Sequence, residues 1–402
     1  MSALHNISSR LHLVGAYSII AACLFIPVST TLMGIFGALV LLCWIASGSI
    51  AGWPGLLRRS PTTAAATVLL LLFGAGMFYS PAPWDEIIDA LKKYRELFLF
   101  PAVMGIMGRA GRGLDEKAVN AFFLGCIVLL LVSYAMAFGL VPSDRYGNSL
   151  IQHIAHSFFM AILAFWTAHK ALDAARYKTL WILLLAAVIG NIVYISPGRT
   201  GMLTFLVLCL LFIMQRFSLK KQVYAFLLFT MLAGLAFVSS GNIQTRVHDA
   251  LHDIRTYEHG ESRTSQGMRF DWWYGSLMLL AEEPLAGHGT GSFTMEHNRL
   301  IAGTGVKPTD NPHNEYLFIA VQLGGAGLLA FLAIFAAGWL DSLRQPPVRK
   351  RLAQGVIVSM MTGCLINSFL FDSHQGHYFA FLLALLCVPA DTQTSPAPER
   401  IS

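Results

Sequence analysis

Three residues carry types and surroundings suited to chemistry: His313 in "DNPHNEYLF", Arg199 in "YISPGRTGM" and Arg269 in "GMRFDWW". Imidazole takes up and releases protons near neutral pH without special tuning, which makes His313 a candidate general base. The plainer reading is a helix-capping turn in which Asn311 or His313 satisfies backbone donors. Arg199 follows a Pro-Gly breaker and would open a helix, where free amides already favour an anion and a guanidinium adds charge-assisted hydrogen bonds. Its plainer reading is an interfacial arginine reaching for lipid headgroups. Arg269 is either a solvated helix-face charge or, with Arg199, half of a clamp on two phosphate groups. Arg263, in the polar loop "HGESRTSQG", is a weaker candidate.

Supporting candidates surround these three. Glu315 would orient His313 or complement the N-terminus of the following helix. Asn314 lies between them, and His374 belongs to the turn "FDSHQGHYF", with Asp372 and His377, that would line the same cavity. "HDALH" gives His248 and His252 the spacing of a zinc helix, but with Asp where a zinc protease has Glu. Beside Val247, Leu251 and Ile254 the two histidines read as the polar face of an amphipathic helix, so no metal site is expected.

The elements that must hold these residues are membrane spans. A chain of 402 residues with 55% hydrophobic and 12% charged residues and a mean hydropathy of +0.59 is too apolar for a soluble globule. Because a helical span needs roughly 20 apolar residues, the sequence predicts an all-α polytopic membrane protein with about twelve transmembrane helices, at about 12–27, 32–50, 62–79, 96–108, 118–141, 150–169, 179–195, 200–215, 222–240, 314–339, 352–370 and 374–389. The first run follows Arg10 like a signal peptide but lacks a small-x-small cleavage site, so it is expected to be retained. The organisation is then 1–240 with spans one to nine, 241–312 as a large outer segment, 313–390 with spans ten to twelve, and 391–402 as a tail.

The segment 241–312 contains two amphipathic stretches and a glycine-rich loop, "AGHGTGSF". Trp272 and Trp273 suit the headgroup zone. The stretch 84–98 is expected to lie along the membrane surface. With the N-terminus inside, the inner loops hold 17 of the 28 basic residues but only six of the 22 acidic ones, which puts both termini in the cytoplasm. The net charge of +6 thus reflects topology, and no nucleic-acid motif accompanies it. All six cysteines fall within spans and lack metal-ligand spacing, so neither disulfides nor a metal cofactor are expected.

Taken in order, "SPGRTGMLTF", "MRFDWWYGSLMLLAEEPLAGHGTGSF" and "PHNEYLFIAVQLGGAGLL" resemble the O-antigen ligase and polymerase family of bacterial inner-membrane glycosyltransferases. The resemblance implies a GT-C-like fold with a periplasmic active site. It also implies transfer of a glycan from undecaprenyl diphosphate to an acceptor, without metal or nucleotide sugar. By motif, Arg199 and Arg269 match the family's arginines and His313 its histidine, although Pro-Gly intervenes between serine and Arg199. The expected activity is O-antigen ligation to the lipid A core in lipopolysaccharide biosynthesis, favoured by the modest outer segment and short tail. A polymerase or a protein O-oligosaccharyltransferase of the same family is the alternative. A lipid or polysaccharide transporter is a second alternative, disfavoured because the middles of the spans are nearly free of charge.

Overall fold

The computed structural model describes residues 2–110, 113–143, 146–195, 198–258 and 264–388; Arg263 and the tail at 391–402 lie outside the described residues. The described chain is helical. In order, the helices are α1 (Ser2–Phe25), α2 (Thr30–Ala46), α3 (Trp53–Arg59), α4 (Pro61–Gly76), α5 (Trp84–Lys93), α6 (Leu99–Ala110), α7 (Leu114–Ala137), α8 (His153–Asp173), α9 (Lys178–Gly190) and α10 (Arg199–Arg216). There follow α11 (Leu219–Ser239), α12 (Gly241–Glu258), α13 (Ser265–Glu282), α14 (Phe293–Ile301), α15 (Glu315–Leu343), α16 (Pro347–Ile366) and α17 (Ser373–Leu386).

Among the described residues, helix covers the greater part of each of the twelve apolar stretches expected to span. Six are long and apolar enough to cross a bilayer by themselves, and a seventh is added if α2 and the following helical turns through Arg59, bent by 79°, form one broken span. The protein is therefore a multi-pass membrane protein. α11 gives the physical reason most directly: it is apolar from Val223 to Val238 apart from Thr230, yet buries no residue against the rest of the chain. A bare apolar helix is stable only if its solvent is lipid. At the other extreme α17 is buried continuously from Gln375 to Leu386, as a helix that is hydrophobic all round must be. It packs on α6, α7 and α16, with Phe122, Phe158, Phe159 and Phe379 filling the space between helices.

α15 is broken in its middle. Gly324 has φ +62° and ψ −160°, a conformation essentially confined to glycine, which frees backbone groups at membrane depth where they cannot be left unpaired. The glycine-rich loop supplies the partners. His288 N donates to Val321 O at 2.9 Å and Gly289 N to Gln322 O at 2.8 Å, while Gly325 N donates to Pro284 O at 2.8 Å. Gln322, the polar interruption of this span, accepts from Gly291 N at 2.8 Å. On its other side the loop is pinned to the end of α4, where Thr290 donates through Oγ1 to Phe73 O at 2.7 Å. A Cβ on Gly289 would sit 2.4 Å from Ser80 Cα, so this close approach also requires glycine. The two glycine motifs, with 28 residues between "AGHGTGSF" and "QLGGAGLL", are thus the two halves of one joint.

Candidate active site

α10 begins at Arg199, with Gly198 as its extended N-cap, so the expected helix start is in place; Pro197 lies outside the described residues. The Arg199 guanidinium approaches Asp253 at 3.4 Å and Asp249 at 3.7 Å, both on α12, and its buried Nε has no partner among the described residues. These contacts fix the face of α12 that meets the protein. Its acids face the protein, whereas Val247, Leu251 and Ile254 remain exposed. His248 and His252 are exposed on the same helix.

Arg269, one turn into α13, donates to Ile366 O at 3.2 Å. Burial, and secondarily the charge of Arg199, push its guanidinium below the usual value. Arg199 and Arg269 line one cleft of about 230 Å³, together with His153, Thr200, Arg246 and Gln266. The sequence reading missed Arg246 and His153. The signal for Arg246 was present, since it lies three and seven residues before Asp249 and Asp253 and therefore on their face of α12.

His313 stands at the other end of this arrangement. Its backbone adopts φ +54°, uncommon for a residue with a side chain. Two contacts hold it there. Asn311 Oδ1 accepts from His313 N at 2.7 Å, and Trp273 Nε1 donates to Pro312 O at 2.9 Å. Trp272, whose indole donates to Lys307 O at 2.8 Å, lies under the His313 ring with centroids 5.6 Å apart. The tryptophan pair expected in the headgroup zone is thus a clamp on the segment that carries His313. Among the described residues the ring nitrogens of His313 have no hydrogen-bond partner. Burial, then the nearby Arg269 charge, push the imidazole down to about 4 against a smaller opposing pull from Asp310. It is a neutral ring at neutral pH.

The supporting candidates divide. Asn314 caps α15, accepting from Leu317 N at 3.1 Å, and donates to Leu365 O at 3.0 Å. Glu315 does not engage the His313 ring. Fully buried, it accepts from Tyr94 Oη at 2.9 Å, from Leu370 N at 2.8 Å and from Phe371 N at 3.1 Å. His374 is also directed elsewhere, its Nδ1 lying 2.6 Å from Ile26 O beyond the end of α1. His377 pairs with buried Glu96 at 3.2 Å.

What unites the site is the end of α16 together with the turn that joins it to α17. Leu365 O and Ile366 O accept from Asn314 and Arg269 as above, Asn367 donates to Thr200 Oγ1 at 2.8 Å, Ser368 donates to Asn311 Oδ1 at 2.7 Å, and Leu370 and Phe371 donate to Glu315. This one segment therefore ties together the starts of α10 and α15 and the first turn of α13. Glu315→Ala would strand two buried amides and a tyrosine hydroxyl, a loss of roughly 2–4 kcal/mol. We expect a clearly lowered melting temperature in detergent; an unchanged one would show that the turn holds its shape without the carboxylate.

Away from this site, Glu282, His288 and Glu296 bring ligand-type atoms within 4.8 Å of one another. Arg299 already bonds both carboxylates, so a guanidinium takes the position of a cation.

Residues 182–332 match the O-Antigen ligase family, an interval that contains Arg199, Arg269 and His313. The chain is 26% identical over 227 residues to an uncharacterized protein of Haemophilus influenzae, covering 54% of this chain and 55% of that one. It is 19% identical over 265 residues to the O-antigen ligase of Escherichia coli K12, covering 63% of each. The chain thus spans less than two thirds of the length of the curated relatives it matches. The glycine joint, the paired arginines and the histidine turn all fall within the interval that is similar to the O-Antigen ligase family.

Proposed function

We propose that this protein is an O-antigen ligase of the bacterial inner membrane, which transfers polysaccharide from undecaprenyl diphosphate to the lipid A core oligosaccharide at the periplasmic face. The observation that carries the reading is the convergence of Arg199 and Arg269 on one cleft, with the neutral His313 ring held beside Arg269. Burial and the nearby Arg199 charge lower the preference of Arg269 for its charged state, and an anion between the two guanidiniums relieves that repulsion. A diphosphate fits this need. It would draw Arg199 away from its long contacts with Asp249 and Asp253 and occupy the unpartnered Nε.

The reaction then requires little else. The acceptor hydroxyl gives its proton to His313 while its oxygen attacks the anomeric carbon from the face opposite the diphosphate. The bond from that carbon to the phosphate oxygen breaks, the electron pair leaves with undecaprenyl diphosphate, and the anomeric centre is inverted. Arg199 and Arg269 stabilise the charge that develops on the leaving group. No general acid is required, because diphosphate departs as an anion. Arg246, on the rim of the same cleft, would add a third positive charge to the donor site.

Deleting the gene and analysing the lipopolysaccharide tests this reading. Loss of all polymer from the core, with accumulation of lipid-linked polymer, is expected of a ligase; a core bearing a single repeat would identify a polymerase instead. The pH profile of the purified protein tests the base. Since kcat/KM reports the free enzyme, its acidic limb should fall at about 4. The limb of kcat should lie higher, because bound diphosphate offsets the Arg269 charge that holds the imidazole down. A kcat/KM limb at the ordinary histidine value would contradict the buried, arginine-flanked setting of His313.

A further inference from the structure

At the opposite end of the bundle from the arginine cleft, α1, α6 and the turns after α2 enclose a second polar region. α1 and α17 fix the direction: the end of α1 meets His374 at the start of α17, whereas this region lies at the beginning of α1. It consists of two clefts of about 480 Å³ and 260 Å³ that share Arg109 as a common wall. Ser8 and His12 line the first, and Ser49 and Arg59 line the second.

The region is built rather than accidental. Ser49 Oγ receives Arg109 Nη1 at 2.9 Å, lies 2.6 Å from His12 Nε2 and receives Ser47 Oγ at 2.9 Å, so one buried hydroxyl fixes the guanidinium in place. Neither Arg109 nor Arg59 has an acidic partner among the described residues. The second cleft is walled by Gly52, Gly55, Gly105 and Gly108, which leave backbone and guanidinium accessible. Behind Gly105 the indole Nε1 of Trp44 is buried without a partner, 2.9 Å from where a side chain on Gly105 would begin. Beside the first cleft, Leu13, Val14 and Tyr17 of α1 are exposed along the direction of the bilayer.

We propose that these joined clefts bind the phosphate group of an anionic membrane lipid, held between Arg109 and Arg59 with its acyl chains along the exposed apolar face of α1. Two unpaired guanidiniums and a cluster of hydroxyls provide the donors that a phosphodiester accepts from. The apolar track leading away from them is what a free phosphate would not use.

Native mass spectrometry of the detergent-solubilised full chain, offered phosphatidylglycerol or phosphatidylcholine in mixed micelles, tests this without reference to the transfer reaction. Wild type should retain phosphatidylglycerol in preference to phosphatidylcholine. Retention should weaken on the order of tenfold in Arg109→Gln and in Arg59→Gln, as expected for loss of a charge-assisted contact, and persist in Arg58→Gln, whose side chain does not line the clefts. Arg59 is exposed, so its variant carries the test even if Arg109→Gln disturbs the Ser49 network. Millimolar inorganic phosphate is the second probe. Displacement of the lipid by phosphate alone would keep the anion site but overturn its assignment to a lipid. Equal retention of the two lipids, or undiminished phosphatidylglycerol retention in both variants, would overturn the proposal altogether.

Discussion

His313→Ala should reduce turnover by about 10²–10⁴-fold, the usual contribution of a positioned general base, while donor binding stays within a few-fold of wild type. The separation follows from the role. A base acts mainly in the transition state, so its loss lowers kcat without weakening the ground-state complex. The geometry is compatible with that role, since among the described residues the ring nitrogens of His313 are unengaged and the guanidiniums of the cleft belong to other helices. Two measurements decide it: single-turnover transfer, and binding of undecaprenyl-diphosphate glycan to the purified variant. Failure to bind donor would make His313 a binding residue. Near-normal turnover in His313→Gln, which can hydrogen-bond but cannot accept a proton at neutral pH, would remove the base altogether. Because His313 takes a left-handed backbone, the alanine variant should also be checked for an unchanged melting temperature.

The second large effect concerns the guanidiniums. Arg199→Ala and Arg269→Ala should each lower turnover by about 10²–10³-fold, as expected for removing one preorganised stabiliser of developing negative charge, and both should weaken donor binding. Lysine should rescue poorly, since a point charge lacks the planar fork that bridges phosphate oxygens. Arg199→Ala is expected to be the more damaging, because it leaves Asp249 and Asp253 facing an anionic donor. For that reason the double variant Arg199→Ala with Asp253→Asn should recover part of the lost binding. Arg269→Ala loses its bond to Ile366 O as well, so Arg269→Lys, which keeps a donor there, separates anchoring of the end of α16 from recognition of phosphate. Full activity in both alanine variants would return the arginines to interfacial residues.

The helices were legible because lipid acts on composition alone. A bilayer requires long apolar stretches with every backbone group satisfied internally, and such stretches show in a sequence without knowledge of what packs against them. The helix start at Arg199 and the α12 and α13 stretches were likewise visible, through Pro-Gly and through spacing. α14 was not expected, because "FTMEHNRLI" mixes apolar and charged residues within nine positions and follows a loop signal.

Residue types were also enough to single out Arg199, Arg269 and His313, since few groups carry a permanent planar charge or titrate near neutrality. Their partners were not legible. Glu315 is two positions from His313 in sequence, and that proximity suggested an orienting role. Yet a helix that begins between them sends the carboxylate toward Tyr94 and the amides of Leu370 and Phe371. The tryptophan pair suggested a headgroup anchor, but α13 lies against the histidine segment and its indoles satisfy that segment's carbonyls. The amphipathic pattern of α12 did not show which of its faces would meet the protein. The acids turn inward toward Arg199, while Val247, Leu251 and Ile254 stay exposed.

The sequence by itself determined that the chain crosses a membrane many times and which side chains have the chemistry for anion recognition and proton transfer, because both depend on residue type and on short-range periodicity. Tertiary structure alone decided that the end of α16 and the turn after it bind the starts of α10 and α15 and the first turn of α13 into one site, and that the break at Gly324 is closed by the loop around Gly289. These contacts join residues from roughly 30 to more than 160 positions apart. They form because a buried amide or carbonyl must find a partner within hydrogen-bond reach wherever the chain provides one, and which segment provides it depends on how the helices pack.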